Sequence, residues 1–308
     1  MKQLKLKEFH DFIENCLPMK RTEVELNKIP FLRDHENLDS FLLHIENSIP
    51  RLNSLDSIKD KKILILGEEG YGDSILLWRY IKDMSSLCKE IHILLSDPIN
   101  LLFQEDLNNS NIHNVVLHST LDHTNFDYWI WLFDLFYLYK DRILTKKRYL
   151  KIQQEKKKPL GGDKVRIGLA LGNIGPVIDP SDRNVPISLV KHLQRENFVL
   201  YNFSNQYISS TVNCFPCFSN FLTTAQYLQS VDYMVCADNV LLNLCGALGV
   251  PTLAVFNNMY EPIWFDIFGK DTTWYSSTRP FINEQQGDWE PTIIRVKECL
   301  ERLFPRGI

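Results

Sequence analysis

Residues 61–80, KKILILGEEGYGDSILLWRY, set an apolar run, a glycine-punctuated turn and a segment of helical periodicity in immediate succession. This is a strand feeding through a tight turn into a helix N-terminus, where free backbone N–H groups attract anionic or phosphorylated ligands. A second strand-to-turn unit, VRIGLALGN, begins at residue 165, and a third, VDYMVCADNVLLNLCGALGVPTLAVF, spans 231–256. Alternating strand and helix signals call for parallel sheets, because a crossover helix must return the chain before each new parallel strand. The expected fold class is α/β, with two halves facing one cleft.

At 308 residues the chain exceeds one domain of modal size, and each of two halves could bury a substantial core. Residues 1–60 carry apolar positions at helical spacing, among them Phe9, Phe12, Ile13, Leu38, Phe41, Leu42 and Ile45, and form a helical N-terminal extension. The first α/β domain is assigned to 61–150, with strands near 61–66, 90–95 and 114–118. A lysine-rich stretch then gives way to Pro159, Gly161 and Gly162, which places an interdomain linker at 151–164. The second domain, 165–308, offers strands near 165–171, 197–203, 232–237 and 250–256.

Net charge of -4 and a pI near 6.1 argue against a nucleic-acid binder. No apolar run approaches the roughly 20 residues of a transmembrane helix, and the N-terminus lacks a signal-peptide apolar block, so the expected location is the cytoplasm. The seven cysteines are scattered and odd in number, as suits reduced thiols. One close pair, Cys214-Phe215-Pro216-Cys217, has redox or zinc-half-site spacing, but no second CxxC or HxxxH accompanies it and no metal site is assigned.

Two segments carry the chemistry. In the turn Gly67-Glu68-Glu69-Gly70-Tyr71-Gly72-Asp73, the glycines let a ligand approach the backbone while Asp73 lies where the helix begins. Neither a Walker lysine nor full GxGxxG spacing follows, so ATPase and dehydrogenase readings fall away. In Ala237 to Gly249, Asp238 and Asn239 hold a helix start whose Val240 and Leu241 N–H groups are expected to face an anion such as a diphosphate. In both places a carboxylate or amide serving only as a helix cap is the bland alternative. The aromatic run at 126–139, with Trp129 and Trp131 inside it, reads as core first; carbohydrate stacking or an oligomer surface is the alternative.

The order of these motifs resembles the heptosyltransferase-like glycosyltransferases of family 9, above all the branch often fused to tetratricopeptide repeats. In that branch the first turn reads Gly-Glu-Gln-Gly-Leu-Gly-Asp before a helix with Arg-Tyr, matched by Gly67 to Asp73 and Arg79-Tyr80. Its later Trp-Ala-Gly-Asn and Arg-Ser-Ile-Pro stretches look like Ala170 to Asn173 and Arg183 to Pro186, and its Asp-Thr helix turn looks like Asp238 to Gly249. Trp274-Tyr275 and Gly287-Asp288-Trp289 complete a similarity covering about residues 61–303.

The resemblance implies a GT-B fold of two Rossmann-like domains, acceptor side first and nucleotide-sugar donor side second. It implies a metal-independent, inverting transfer of a sugar to a glycan or protein hydroxyl, with Asp73 as general base. Gly70, Tyr71 and Gly72 would form the acceptor-side turn. Asn173, Arg183, Asp238, Asn239, Val240 and Asn243 would bind the donor; no cofactor beyond the donor itself is implied. The chain departs from the pattern at Asn243 and Trp129, where relatives carry histidine. An asparagine still donates a hydrogen bond but cannot become a cation, so a silent homologue acting as a binding or assembly subunit is the alternative.

Overall fold

The structure, a computed structural model, describes residues 44–67, 70–95, 97–121, 125–139, 146–153, 162–172, 183–204, 212–214, 220–258 and 274–305. Most of the N-terminal extension and of the linker therefore lies outside the described residues, as do Glu68, Glu69, Asn173, Cys217, Trp264 and Phe265. The described chain falls into two compact units. One holds the residues before 146 together with 220–222, and the other holds the rest.

The first unit is built on a parallel sheet of order β3-β2-β1-β4, formed by β1 (Lys62–Leu66), β2 (Glu90–Leu94), β3 (Val115–His118) and β4 (Tyr128–Trp131). Helix α1 (Tyr71–Met84) joins β1 to β2, α2 (Asp97–Ser110) joins β2 to β3, and α3 (Asp134–Leu138) follows β4. Two successive right-handed crossovers in one direction put α1 and α2 on the same face. That face takes the alternate residues Ile63, Ile65, Ile91 and Ile93, all fully buried. Trp78 of α1 stacks on Phe103 of α2 with centroids 3.9 Å apart, and its indole donates to Asp106 at 2.7 Å.

On the opposite face Leu64, Leu66, Leu94, Trp129 and Trp131 pack with Ile45 and Ile49, which lie on and just after a helical turn at 44–48. The aromatic run is thus core at Trp129, Trp131, Phe136 and Tyr139, as its composition suggests. Trp129 sits opposite Leu64 in the ladder with Arg51 5.5 Å over its ring, so a histidine there would have to enter a closed apolar layer.

The second unit carries a parallel sheet of order β10-β9-β8-β5-β6-β7. Its strands are β5 (Val165–Ala170), β6 (Phe198–Asn202), β7 (Asn213–Cys214), β8 (Tyr233–Ala237), β9 (Thr252–Phe256) and β10 (Thr278–Ile282). Helices α4 (Phe221–Leu228), α5 (Val240–Leu248) and α6 (Glu290–Leu303) and a 3₁₀ helix (Ile187–Leu193) connect them. One face buries Ile167, Leu169, Val235, Val255 and Phe281 under α6 and the 3₁₀ helix. From β5 the chain steps outward to β6 and β7, then returns to the other side of β5 for β8, β9 and β10. The direction of winding therefore reverses between β5 and β8, and ligands of open α/β sheets bind in the crevice at such a reversal.

Residues 146–150 are laced to this second unit. The N–H groups of Tyr149 and Leu150 both donate to the carbonyl of Ala247, at 2.9 and 3.0 Å, and Ser276 N–H donates to Lys146 O at 3.0 Å. Among the described residues no helix is long and apolar enough to cross a membrane.

Candidate functional site

In the first unit β1 ends at Leu66, and Gly67 turns the chain against β2. A Cβ at Gly67 would stand 2.6 Å from the carbonyl oxygen of Leu94, so only glycine admits that approach. Gly70 is the N-cap of α1, with φ -79 and ψ 108, and its carbonyl accepts from Ser74 N–H at 2.9 Å. Asp73 therefore lies at the third helical position, half-buried, and is not the cap residue itself. Its carboxylate folds back over Gly70, where an added Cβ would meet Oδ2 at 2.0 Å. A first-turn acid is favoured by the helix dipole, and the same placement brings Tyr71, Gly72 and Asp73 together at the C-terminal end of β1.

In the second unit the reversal crevice is bounded by the ends of β5 and β8. Asn239, the N-cap of α5, spans it: its Nδ2 donates to the carbonyls of Ala170 and Gly172, each at 3.1 Å, and its Oδ1 accepts from Leu241 N–H at 2.9 Å. The Leu241 N–H is thus consumed by the cap, and that of Leu242 by the Asn239 carbonyl at 3.0 Å. The N–H of Val240 has no partner among the described residues. The expected anion-facing pair reduces to Val240, because an asparagine cap satisfies the donor two positions on.

Asp238, 9% exposed, is paired with Arg183 at 3.5 Å. The 183–185 segment is held beside β5 by Val185 N–H, which donates to Leu171 O at 2.8 Å, and this delivers the guanidinium to the end of β8. Asn173, two residues beyond Leu171, lies outside the described residues. The structure thus gathers Arg183, Asp238, Asn239 and Val240 at one crevice, with Asn243 one turn further along α5.

Asn243 is 7% exposed and accepts at Oδ1 from the hydroxyl of Tyr275 at 2.9 Å. Four residues after the cap, it shares the face of α5 with Asn239. Tyr275 in turn lies across Gly246, where a Cβ would fall 2.2 Å from the ring. The sequence marks Trp274-Tyr275 without giving the tyrosine a role; the signal was a glycine in mid-helix, which leaves room for a ring.

Two buried thiols, Cys236 and Cys245, lie on β8 and α5. Burial pushes the Cys236 thiol well up, aided by Cys245 and Asp238, and burial raises Cys245 to about 12. No group of histidine, cysteine, aspartate and glutamate side chains suited to hold a metal occurs among the described residues.

No described protein family matches the chain by its sequence profile. A curated relative, protein FlbA of Caulobacter vibrioides, is 37% identical over 71 residues, which is 23% of this chain and 11% of that protein. The α/β fold is similar to that of solved heptosyltransferases and related glycosyltransferases. Heptosyltransferase II of E. coli superposes with a TM-score of 0.54 at 14% identity, over 79% of this chain and 98% of its own. The dodecameric, iron-containing glycosyltransferase TibC of enterotoxigenic E. coli gives 0.53 at 12% identity, over 76% and 66%. A family 9 glycosyltransferase of Veillonella parvula gives 0.50 at 10% identity, over 81% and 92%.

Proposed function

We propose that the protein is a glycosyltransferase of the heptosyltransferase-like kind, moving a sugar from a nucleotide-diphosphate sugar to a hydroxyl of a glycan or protein. The reading includes the GT-B arrangement of two units sharing a cleft, inversion at the anomeric carbon, and independence of metal. It carries with it the assignment of acceptor to the first unit and donor to the second.

In this reaction the Asp73 carboxylate takes the proton of the acceptor hydroxyl as its oxygen forms a bond to the anomeric carbon. The bond from that carbon to the diphosphate breaks, and the nucleoside diphosphate leaves with the electron pair. Its growing charge is met by the Val240 N–H, the positive end of α5 and the Arg183 guanidinium, all fixed before the reaction begins. Asp238 holds Arg183 in place and moderates its charge.

The observation that carries this reading is the crevice between β5 and β8, where a helix N-terminus, its Asn239 cap and an arginine converge at the reversal of the sheet. Likeness of fold to heptosyltransferases supports the donor class. ADP-, UDP- and GDP-sugars offered to the purified protein, with chelator present, should release nucleoside diphosphate with at least one of them. The neutral Asn243 favours a second reading, a silent homologue that binds without turnover. Binding of a nucleoside diphosphate with no release from any donor would select it.

A further inference from the structure

Asn243, four residues after the Asn239 cap and so on the same side of α5, has one oxygen and one nitrogen to present, and which of them is left outward decides whether the residue attracts or repels an anion. Its oxygen is engaged by Tyr275 at 2.9 Å, inside an environment where both residues are buried. Its amide nitrogen makes no hydrogen bond among the described residues and is not one of the fully buried polar atoms, so it keeps a share of the residue's 7% exposure. An NH₂ group open to solvent can exchange its water for a ligand acceptor.

Tyr275 is itself held. Its ring fills the space over Gly246, and its hydroxyl lies 3.4 Å from that of Tyr149. Tyr149 belongs to the 146–150 segment whose backbone is fastened to Ala247, at the far end of the same helix. A hydroxyl that accepts from one neighbour gives its own proton to the next, so the order Tyr149 to Tyr275 to Asn243 ends on the amide oxygen.

We infer that Tyr275 is a positioning residue that fixes the Asn243 amide with its NH₂ toward the diphosphate of the donor, a neutral hydrogen-bond donor standing where a cation would otherwise serve. The inference rests on the donor-site reading above. It assigns Tyr275 no contact with the ligand: the tyrosine acts through the asparagine alone.

The test is calorimetric titration with ADP, UDP and GDP across wild type, Tyr275→Phe, Asn243→Ala and the double variant, with melting temperature measured alongside. Tyr275→Phe should weaken binding roughly two- to tenfold, as loss of one oriented hydrogen bond does, and should have no effect on affinity once Asn243 is alanine. Equal weakening in both backgrounds, or none in either, overturns the inference and leaves the donor site standing. A wild type that binds none of the three diphosphates overturns both. Asn243→Asp covers the case in which Tyr275→Phe does not fold. It keeps an acceptor for Tyr275 and turns the outward donor into an anion, so affinity should fall below that of Asn243→Ala; wild-type affinity in this variant would also overturn the inference.

Discussion

The carboxylate of Asp73 occupies the space that a side chain at residue 70 would need, with Oδ2 only 2.0 Å from the position of a Gly70 Cβ. The backbone of residue 70, at φ -79, suits any amino acid, so this glycine is required by the carboxylate and not by the turn. Gly70→Ala should therefore push Asp73 aside while leaving the helix formed. If Asp73 is the base, turnover falls at least about tenfold, and Asp73→Asn lowers it roughly 100- to 10,000-fold with donor affinity intact. Kinetics of both variants within a few-fold of wild type would leave Asp73 as a helix-terminal acid only.

The second prediction concerns Gly246. A methyl group there would press on Cγ of Tyr275 at 2.2 Å, in a layer where Tyr275 is 1% exposed and has little room to move. Alanine is the better helix former, and a helix considered alone would gain from the change. Overpacking wins: Gly246→Ala should destabilise by about 1–3 kcal/mol in urea unfolding. Unchanged or raised stability would mean that Tyr275 relaxes freely, which would also weaken its claim to orient Asn243.

How much of this was legible beforehand follows from how each signal arises. β1, β2, β5, β8 and β9 announce themselves because strands buried on both faces are continuous apolar runs. β10 does not: Thr278–Ile282 is an edge strand with Pro280 inside and Arg279 exposed, so neither run nor alternation marks it. The cap at Asn239 was readable from residue type alone, but its two bonds to Ala170 and Gly172 were not, since they join positions 69 and 67 residues apart. Likewise Asn243 reads as a ligand-facing amide in the sequence, while the tyrosine that takes its oxygen lies 32 residues on.

A third prediction uses pH. The backbone N–H of Lys62 donates to Asp127 at 2.8 Å, and the Lys61 ammonium adds a contact at 3.0 Å. These hold the Asp127 carboxyl below its usual 3.8, with the Lys62 hydrogen bond the larger cause. A depressed folded-state value stabilises above the unfolded pKa and is lost as pH falls through the folded one. The stability gap between wild type and Asp127→Ala should accordingly be constant above about pH 5 and shrink below pH 4. Urea midpoints measured from pH 7 to pH 2 check this; a gap that widens in acid would reverse the sign.

The last prediction separates two roles of Asn239. As an N-cap, asparagine is equalled by aspartate, so a residue that only capped α5 would tolerate Asn239→Asp without loss and would lose about 1 kcal/mol as alanine. The observed side chain does more. Its Nδ2 donates to two carbonyls, Ala170 O and Gly172 O, and thereby ties the end of β5 to the start of α5 across the reversal of the sheet. Aspartate has no N–H to give them, and it would set a negative charge against two carbonyl oxygens at about 3.1 Å. Repulsion there outweighs the favourable cap, because the carbonyls are left unsatisfied beside an anion that has itself lost solvent. Asn239→Asp should therefore be at least as destabilising as Asn239→Ala, by roughly 1–3 kcal/mol, and should also lose affinity for nucleoside diphosphates. If the aspartate variant unfolds at the same urea concentration as wild type, the bridge across the crevice contributes nothing and Asn239 is a cap alone.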